Sequence, residues 1–273
     1  MKKAFVIGHP ITHSRSPLIH GEWLKANAIA GSYEAFDVAP EALSSFVARL
    51  RAGEFVGGNV TVPHKEAVFA LCDRVDDQAR KIGAVNTLVL DGGKVRGFNT
   101  DYLGFLGNLD QNAPGWDRGL TSAIVLGAGG ASRAILLALI ERGVKTIHLL
   151  NRTVSKAQSL AAEFGSSVVP GPLSAFNTLA PNTALVVNAS SIGMHETRFE
   201  GIDLARLPKS ALVTDIVYVP LVTPLLAEAR ASGLRVLDGL GMLLHQAVPG
   251  FEAWFGVRPV VTPDLRRLVE ATL

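Results

Sequence analysis

Residues 123–132 read AIVLGAGGAS, a short apolar run that leads into a glycine-rich segment. The run predicts a buried strand, and the apolar periodicity after it predicts a helix over 131–142. Glycines between a strand and a helix permit a tight turn, which brings backbone N–H groups at the helix N-terminus close to a pyrophosphate. The alternative is a purely structural turn, but the strand, turn and helix together favour a dinucleotide site. Its predicted residues are Gly127, Ala128, Gly129, Gly130 and Ala131.

Strands and helices keep alternating after this turn. The sequence predicts strands at 145–150, 184–188 and 211–216, with a helix at 154–164. Such alternation is typical of an α/β domain built on a parallel sheet. Residues 102–238 are therefore predicted to form a Rossmann-like nucleotide-binding domain.

The end of the second strand of this domain indicates which dinucleotide binds. Folds specific for NAD carry Asp or Glu there, which accepts a hydrogen bond from the ribose 2′-OH, but this chain has Asn151-Arg152-Thr153. A guanidinium can instead form charge-assisted contacts with a 2′-phosphate, and Lys156 adds positive charge one turn later. The alternative is that Arg152 only solvates a strand end. We predict that the cofactor is NADP.

The first hundred residues show the same alternation of strands and helices, which predicts a second, mostly parallel sheet. Predicted strands lie at 4–7, 32–37, 57–62 and 84–90, the last followed by a turn and a short strand to Phe98, and predicted helices lie at 17–27 and 42–51. Asn99-Thr100-Asp101 offers an N-cap before an amphipathic stretch at 102–109, and we expect the chain to enter the second domain there.

Two helical segments, at 241–255 and from Pro263, have no following strand. We expect them to pack on the first domain, so that residues 1–101 are completed by 239–273. The whole chain is then a two-domain α/β protein, a division that 273 residues accommodate.

Polar residues gather where strands of the first domain are predicted to end: Ser14, Ser16, Thr61, Lys65 and Asn86. Open α/β sheets bind ligands at strand ends, so the group predicts a substrate site. Each residue also has an ordinary structural interpretation. The serines could cap a helix, Asn86 could serve a turn, and Lys65 could be a solvated surface lysine.

Composition excludes several classes of function. Lys and Arg number 26 against 24 Asp and Glu, which is far from the basic excess that a phosphate backbone attracts, so we expect no nucleic acid. The most apolar later window, 123–140, is interrupted by glycines and Arg133, so we expect no membrane span. Cys72 is the only cysteine, and no short-spaced His and Cys cluster predicts a metal. A reducing cytoplasm fits this usage.

Nine ordered segments, spread over almost the whole chain, resemble the shikimate dehydrogenase family. They are Pro10 to Pro17, Asn59 to Lys65, Ile82 to Thr87, Asn99 to Asp101, Gly127 to Ala131, Asn151 to Thr153, Asn188 to Gly193, Asp215 to Tyr218 and Asp238 to Met242. The resemblance implies a substrate domain completed by C-terminal helices, with an NADP-binding Rossmann-like domain inserted at 102–238 and a cleft that closes on both ligands.

The resemblance also implies residue roles. Lys65 and Asp101 would be the catalytic pair. Ser14, Ser16 and Tyr218 would hold the substrate carboxylate, while Thr61, Asn86, Asp101 and Gln246 would address ring hydroxyls. On the cofactor side it implies pyrophosphate contacts at 127–131, 2′-phosphate contacts from Asn151, Arg152, Thr153 and Lys156, nicotinamide contacts from Ile216, Gly239 and Met242, and a weaker candidate in Asp77.

The implied activity is the NADPH-dependent, reversible reduction of 3-dehydroshikimate to shikimate, a step of aromatic amino-acid biosynthesis. One alternative is a quinate or dual quinate/shikimate dehydrogenase, and another is a non-catalytic NADP-binding sensor. We expect a small-molecule substrate and allow for a homodimer. His13 and His64 adjoin the matching segments, and we expect structural roles for both, because neighbours on a strand point to opposite faces.

Overall fold

The computed structural model describes all residues, 1–273. Contacts between Cα atoms divide the chain into two compact units. The first consists of Met1–Asp101 with Leu244–Thr272, and the second of Tyr102–Leu243 with Leu273. The functional division predicted at 101/102 and 238/239 is a separate claim and stays a prediction.

The first unit is built on a six-stranded sheet. Its elements are β1 (Lys2–Gly8), α1 (Ser16–Ala26), β2 (Gly31–Asp37), α2 (Leu43–Arg51), β3 (Gly57–Val60), β4 (Arg74–Val75), α3 (Asp77–Ile82), β5 (Thr87–Asp91) and β6 (Lys94–Phe98). The strand order is β2-β1-β3-β5-β6-β4. The pairs β1–β2, β1–β3 and β4–β6 are parallel, whereas β3–β5 and β5–β6 are antiparallel. β5 is thus antiparallel to both of its neighbours, and its pairing with β6 is the hairpin that the turn at residues 91–94 predicts.

The second unit carries a six-stranded sheet in the order β13-β12-β10-β7-β8-β9, in which all neighbours are parallel. Its elements are α4 (Asp101–Asn112), β7 (Ser122–Leu126), α5 (Gly130–Glu141), β8 (Thr146–Asn151), α6 (Val154–Phe164), β9 (Val168–Pro172), α7 (Phe176–Leu179), β10 (Leu185–Asn188), β11 (Ile192–His195), β12 (Leu212–Asp215), α8 (Pro224–Ala231) and β13 (Arg235–Leu237). The sequence runs from β7 to the sheet edge at β9 and then returns to β10 beside β7. Ligands of open α/β sheets bind at such a reversal of strand order.

Two helices close the chain, α9 (Leu240–Phe255) and α10 (Pro263–Glu270). From Leu244 onward this segment belongs to the first unit. Trp254 of α9 is 1% exposed, and its indole N–H donates to the carbonyl oxygen of Leu88 in β5 at 2.8 Å. The contact joins α9 to the middle of the first sheet. No helix of the protein has the length and apolar character needed to cross a bilayer.

The predicted long elements are confirmed, and the differences lie mainly at their ends. The strand predicted at 57–62 ends at Val60, and the strand predicted at 84–90 begins only at Thr87. Residues beyond these ends, including Lys65 and Asn86, therefore lie in loops. The prediction missed short elements such as α3, because six residues contain too few turns for apolar periodicity to be visible.

His20 of α1 is fully buried in an aromatic cluster of the first unit. Its ring stacks on Tyr33 with centroids 4.0 Å apart and on Phe251 at 5.8 Å, and neither ring nitrogen has a hydrogen-bond partner. Burial lowers the pKa of His20 to about 3, since an imidazolium could not be solvated there. The histidine is therefore neutral in the folded protein.

This burial predicts a loss of stability in acid. Below the unfolded-state pKa of about 6.5, the unfolded chain binds a proton at His20 that the folded chain does not bind until about pH 3. Stability from this residue is thus present above pH ~6.5 and falls by about 1.4 kcal/mol per pH unit below it. Between pH 7 and pH 5 the wild type should lose about 2 kcal/mol more free energy of unfolding than His20→Phe.

Urea unfolding at the two pH values measures this difference. His13→Asn, which changes an exposed histidine, is the control and should lose as much stability as the wild type. An equal loss in wild type and His20→Phe would contradict the prediction.

Candidate active site

A lysine and a carboxylate form the centre of the candidate site in the first unit. Lys65 lies in the loop after β3, and Asp101 is the first residue of α4. Lys65 Nζ donates to Asp101 Oδ2 at 2.6 Å, and the two side chains are 29% and 17% exposed. The backbone N–H of Val85 donates to the Lys65 carbonyl at 2.8 Å and holds the loop. An ammonium has three N–H groups, so this pair leaves donors for a ligand.

Asn86 connects this pair to further predicted residues. Its Nδ2 donates to Asp101 Oδ1 at 2.8 Å and to Gln246 Oε1 at 3.5 Å, while its Oδ1 accepts from the Thr100 backbone N–H at 2.8 Å. The structure therefore brings together Lys65, Asn86, Asp101 and Gln246, which are far apart in sequence. Asp101 receives one donor on each oxygen, so its carboxylate is held in one orientation.

The three predicted hydroxyl residues lie beyond the ends of β1 and β3, which are neighbours in the sheet. Ser14 Oγ accepts from the Ser16 backbone N–H at 3.3 Å, and Thr61 is held by its own N–H, which donates to the Ile7 carbonyl at 2.9 Å. The N-cap residue of α1 is Arg15, without a side-chain cap. The capping interpretation of the two serines is therefore not supported.

The second unit contains the predicted dinucleotide turn between β7 and α5. Gly127 has φ +105°, and a Cβ there would lie 2.7 Å from Ser190 Cβ, so the position requires glycine. Ser132 Oγ donates to the Gly127 carbonyl at 2.7 Å and accepts from the Gly129 N–H at 3.2 Å, which fixes the turn. Gly129, Gly130 and Ala131 are exposed at the start of α5. The amides of Gly130 and Ala131 are among those that a helix leaves without intrahelical partners.

Asn151 has a supporting role beside this turn. Its Oδ1 accepts from the Ala128 N–H at 3.2 Å, and its Nδ2 donates to the Thr153 carbonyl at 2.8 Å. The amide thus ties the end of β8 to the glycine turn. Arg152, Thr153 and Lys156 are exposed, so their side chains can reach an anion.

A cavity of about 250 Å³ adjoins the turn. Its lining residues are Gly127, Asn151, Arg152, Leu173, Ser190, Ser191, Ile192 and Phe199. Backbone amides and a guanidinium beside apolar walls suit a phosphorylated adenosine, so these residues fit NADP. Leu173 and Phe199 carry no signal in the sequence, because no motif marks an apolar wall.

The predicted nicotinamide residues follow β12 and β13. A Cβ on Gly239 would lie 2.5 Å from the Ile216 carbonyl oxygen, so only glycine permits this backbone approach. The preceding residue, Asp215, is 1% exposed and accepts from Asn188 Nδ2 at 2.9 Å, Thr223 Oγ1 at 2.7 Å and the Val217 N–H at 2.9 Å. Burial raises its pKa to about 6, and the three donors oppose this rise. Asp215 therefore holds the backbone on which Ile216 and Tyr218 lie.

Three further residues predicted to bind a ligand are Tyr218, Met242 and Asp77. Tyr218 is half-buried after β12, and Met242 packs against the core of the second unit. Asp77 is the exposed first residue of α3, whose N-cap is Asp76. Their binding roles stay predictions. His64 is 1% exposed and donates from Nε2 to the Val38 carbonyl at 2.7 Å, a structural role in agreement with the sequence analysis.

Family models match most of the chain. The shikimate dehydrogenase substrate binding domain matches residues 6–88, shikimate / quinate 5-dehydrogenase matches 117–239, and the shikimate 5′-dehydrogenase C-terminal domain matches 239–263. A shikimate dehydrogenase (NADP(+)) from Mesorhizobium japonicum is 56% identical over 272 residues, which cover 100% of this chain and 97% of the relative.

Solved structures agree with these matches. A shikimate 5-dehydrogenase from Thermus thermophilus, in complex with NADP(H) and shikimate, is 38% identical with a TM-score of 0.86, and the match covers all of both chains. A quinate dehydrogenase from Corynebacterium glutamicum in complex with NAD is 32% identical with a TM-score of 0.90 and 99% coverage of each chain. The lysine–carboxylate pair, the dinucleotide turn and these matches together show that the chain belongs to the shikimate dehydrogenase family.

Proposed function

We propose that Lys65 and Asp101 carry the reaction of this enzyme, the reversible NADPH-dependent reduction of 3-dehydroshikimate to shikimate in the route to aromatic amino acids. The observation that carries the proposal is the 2.6 Å contact between Lys65 Nζ and Asp101 Oδ2, with Asn86 bonded to the other carboxylate oxygen. A partly buried pair with spare N–H donors can act on a ligand, whereas a fully exposed lysine would be solvated.

The chemistry assigns a role to each member of the pair. NADPH, when bound, supplies the hydride that reduces the ketone carbon. Negative charge then builds on the ketone oxygen, and the Lys65 ammonium stabilises it and donates the proton that completes the alcohol. In the reverse direction the Lys65 amine accepts the hydroxyl proton. Asp101 keeps the Lys65 side chain in place throughout.

The polar residues around this pair are proposed to bind the substrate. Ser14, Ser16 and Tyr218 would hold its carboxylate by hydroxyl donors, which suit an anion. Thr61, Asn86, Asp101 and Gln246 would address the ring hydroxyls. Asn86 and Gln246 support this assignment, since both already hydrogen-bond within the group that contains Asp101.

We assign the cofactor residues in the same way. The turn of Gly127, Ala128, Gly129, Gly130 and Ala131 would bind the pyrophosphate, with the amides of Gly130 and Ala131 as donors, because the other three already donate within the protein. Arg152 and Lys156, with Thr153 and the supporting amide of Asn151, would bind the 2′-phosphate. Ile216, Gly239 and Met242 would contact the nicotinamide, and Asp77 is a further cofactor candidate.

Two rival functions differ in how the site supports them. The likeness to a quinate dehydrogenase in complex with NAD keeps quinate as a second candidate substrate. Arg152 at the end of β8 favours NADP over NAD, and both Ser14 and Ser16 are present as in the shikimate-specific pattern. A non-catalytic NADP sensor would have no need for the Lys65–Asp101 contact.

Location and assembly are also proposals. A chain with one cysteine, Cys72, and an NADPH-dependent reaction suits the reducing cytoplasm. A homodimer stays a prediction, which light scattering on the purified protein tests.

Oxidation assays with shikimate and quinate, each with NADP and NAD, test the substrate and cofactor together. The increase in absorbance at about 340 nm, which reports reduced nicotinamide, should be greatest for shikimate with NADP. A higher kcat/KM for quinate would favour the second candidate. Absence of turnover with all four combinations would refute a dehydrogenase of either acid.

Replacing Arg152 tests the cofactor assignment. Arg152→Ala should raise the KM for NADP by about tenfold to a hundredfold, since a hydrogen bond to a charged group contributes about 1.5–3 kcal/mol. The KM for NAD should change little, because NAD has no 2′-phosphate. Arg235→Ala, which removes an exposed arginine elsewhere in the second unit, is the matched control. Equal effects on the two cofactors would overturn the assignment.

Replacing Lys65 tests the chemistry apart from binding. Lys65→Ala should fold and bind NADP but lose about a hundredfold or more in kcat, because the ammonium acts chiefly as charge develops on oxygen. Asp101→Asn should show a related defect, and the double variant should be much less than additively worse, since the two groups act as one unit. Lys94→Ala is the control for an exposed lysine. Near-normal turnover in Lys65→Ala would show that the proton comes from another group.

A further inference from the structure

Tyr33 is not one of the proposed site residues, but it hydrogen-bonds to Asn59, which in turn contacts Asn86 of the site. The side chain projects from β2, is 7% exposed and packs face to face on His20. Its hydroxyl donates to Asn59 Oδ1 at 2.6 Å. Burial raises the pKa of Tyr33 well above its usual value near 10, so the phenol keeps its proton and remains a donor.

Asn59, in β3, connects Tyr33 to the residues that follow, because its side-chain amide also donates two hydrogen bonds. Asn59 Nδ2 donates to the Asn86 carbonyl and to Thr87 Oγ1, each at 3.2 Å. Reversing the amide would place Asn59 Oδ1 against the Asn86 carbonyl, where two acceptors would meet. It would also face the Tyr33 hydroxyl with N–H groups. The Asn86 carbonyl, which can only accept, therefore selects one orientation of the Asn59 amide, and the Tyr33 hydroxyl supplies the donor that Asn59 Oδ1 needs in that orientation.

The same reasoning extends to the catalytic carboxylate. Thr87 Oγ1 accepts from Asn59 Nδ2 and donates to Asn86 Oδ1 at 2.9 Å, and the Thr100 hydroxyl, 3.2 Å from Thr87 Oγ1, is a further neighbour. Asn86 Oδ1 also accepts the Thr100 N–H, so Asn86 Nδ2 is left to face Asp101 Oδ1 at 2.8 Å. Reversing Asn86 would set an amide oxygen against the carboxylate. Donors thus point in one direction from Tyr33 to Asp101.

We propose that Tyr33 is a positioning residue of the reaction, which orients Asn86 toward Asp101 through Asn59 and Thr87. The inference rests on the proposed roles of Asn86 and Asp101. All four residues of the chain, Tyr33, Asn59, Thr87 and Asn86, are less than a tenth exposed, so bulk water has little access to replace a lost donor.

Tyr33→Phe is the direct test, because it removes only the hydroxyl and keeps the ring on His20. We expect kcat/KM for shikimate to fall by about fivefold to a hundredfold, the range that corresponds to an unsatisfied buried acceptor. The dissociation constant for NADP should be unchanged. Thr183→Val is the matched control, since it also removes a buried hydroxyl, one that donates to the Leu179 carbonyl in the second unit. The control should keep the wild-type kcat/KM.

A double-mutant cycle distinguishes positioning from general destabilisation. Thr87→Val breaks the same chain closer to Asp101 and should also lower kcat/KM. If Tyr33 acts through Thr87, the double variant should be no worse than the more severe single variant, whereas independent effects would multiply. Thermal unfolding of each variant confirms that the assay temperature lies below its transition. Thr87→Val by itself tests the chain should Tyr33→Phe fail to fold.

Any one of three outcomes would overturn the inference: wild-type kcat/KM in folded Tyr33→Phe, wild-type kcat/KM in folded Thr87→Val, or multiplicative losses in the double variant. Failure of the wild type to oxidise shikimate would instead refute the proposed function.

Discussion

The carboxylate of Asp101 accepts one hydrogen bond from Lys65 and one from Asn86, and the loops of the first unit are arranged around these two contacts. Lys65 comes from the loop after β3, Asn86 from the residue before β5, and Asp101 from the start of α4. A partly buried carboxylate is stable only if donors satisfy it, so each contact constrains where its loop runs. In the proposed mechanism, the same contacts keep the ammonium where charge develops on the ketone oxygen.

The register of the first sheet explains how these loops meet. Asn59 of β3 is paired with Thr87 of β5 in antiparallel register, which places the end of one strand beside the start of the other. The Asn86 carbonyl then accepts from both the Val60 N–H and Asn59 Nδ2. Polar side chains at this junction therefore satisfy one another inside the first unit. These hydrogen bonds fix the orientations of the Asn59 and Asn86 side-chain amides.

Much of this organisation could be predicted from local patterns. The strand, glycine turn and helix around Gly127 were visible because apolar runs and glycines lie within a few residues of one another. The ends of strands were harder to predict, because hydrogen bonds to partner strands decide where pairing ends. β3 ends at Val60 and β5 begins at Thr87. Asn151 is an intermediate case. Its position was predicted, but its bond to the Ala128 N–H depends on the approach of two loops.

The sequence alone determined the two-domain α/β class, the dinucleotide turn and the basic residue at the end of β8, because each depends on neighbours along the chain. The choice of Lys65 and Asp101 as a pair came instead from the resemblance to the shikimate dehydrogenase family. Only the tertiary structure decided which groups are buried and which donors face which acceptors. Tyr33 and Asn59 are 26 residues apart, and Lys65 and Asp101 are 36 apart. The low pKa of His20 and the raised pKa of Asp215 likewise come from burial by distant segments. Burial and hydrogen-bond direction are properties of the packed chain, and no local pattern encodes them.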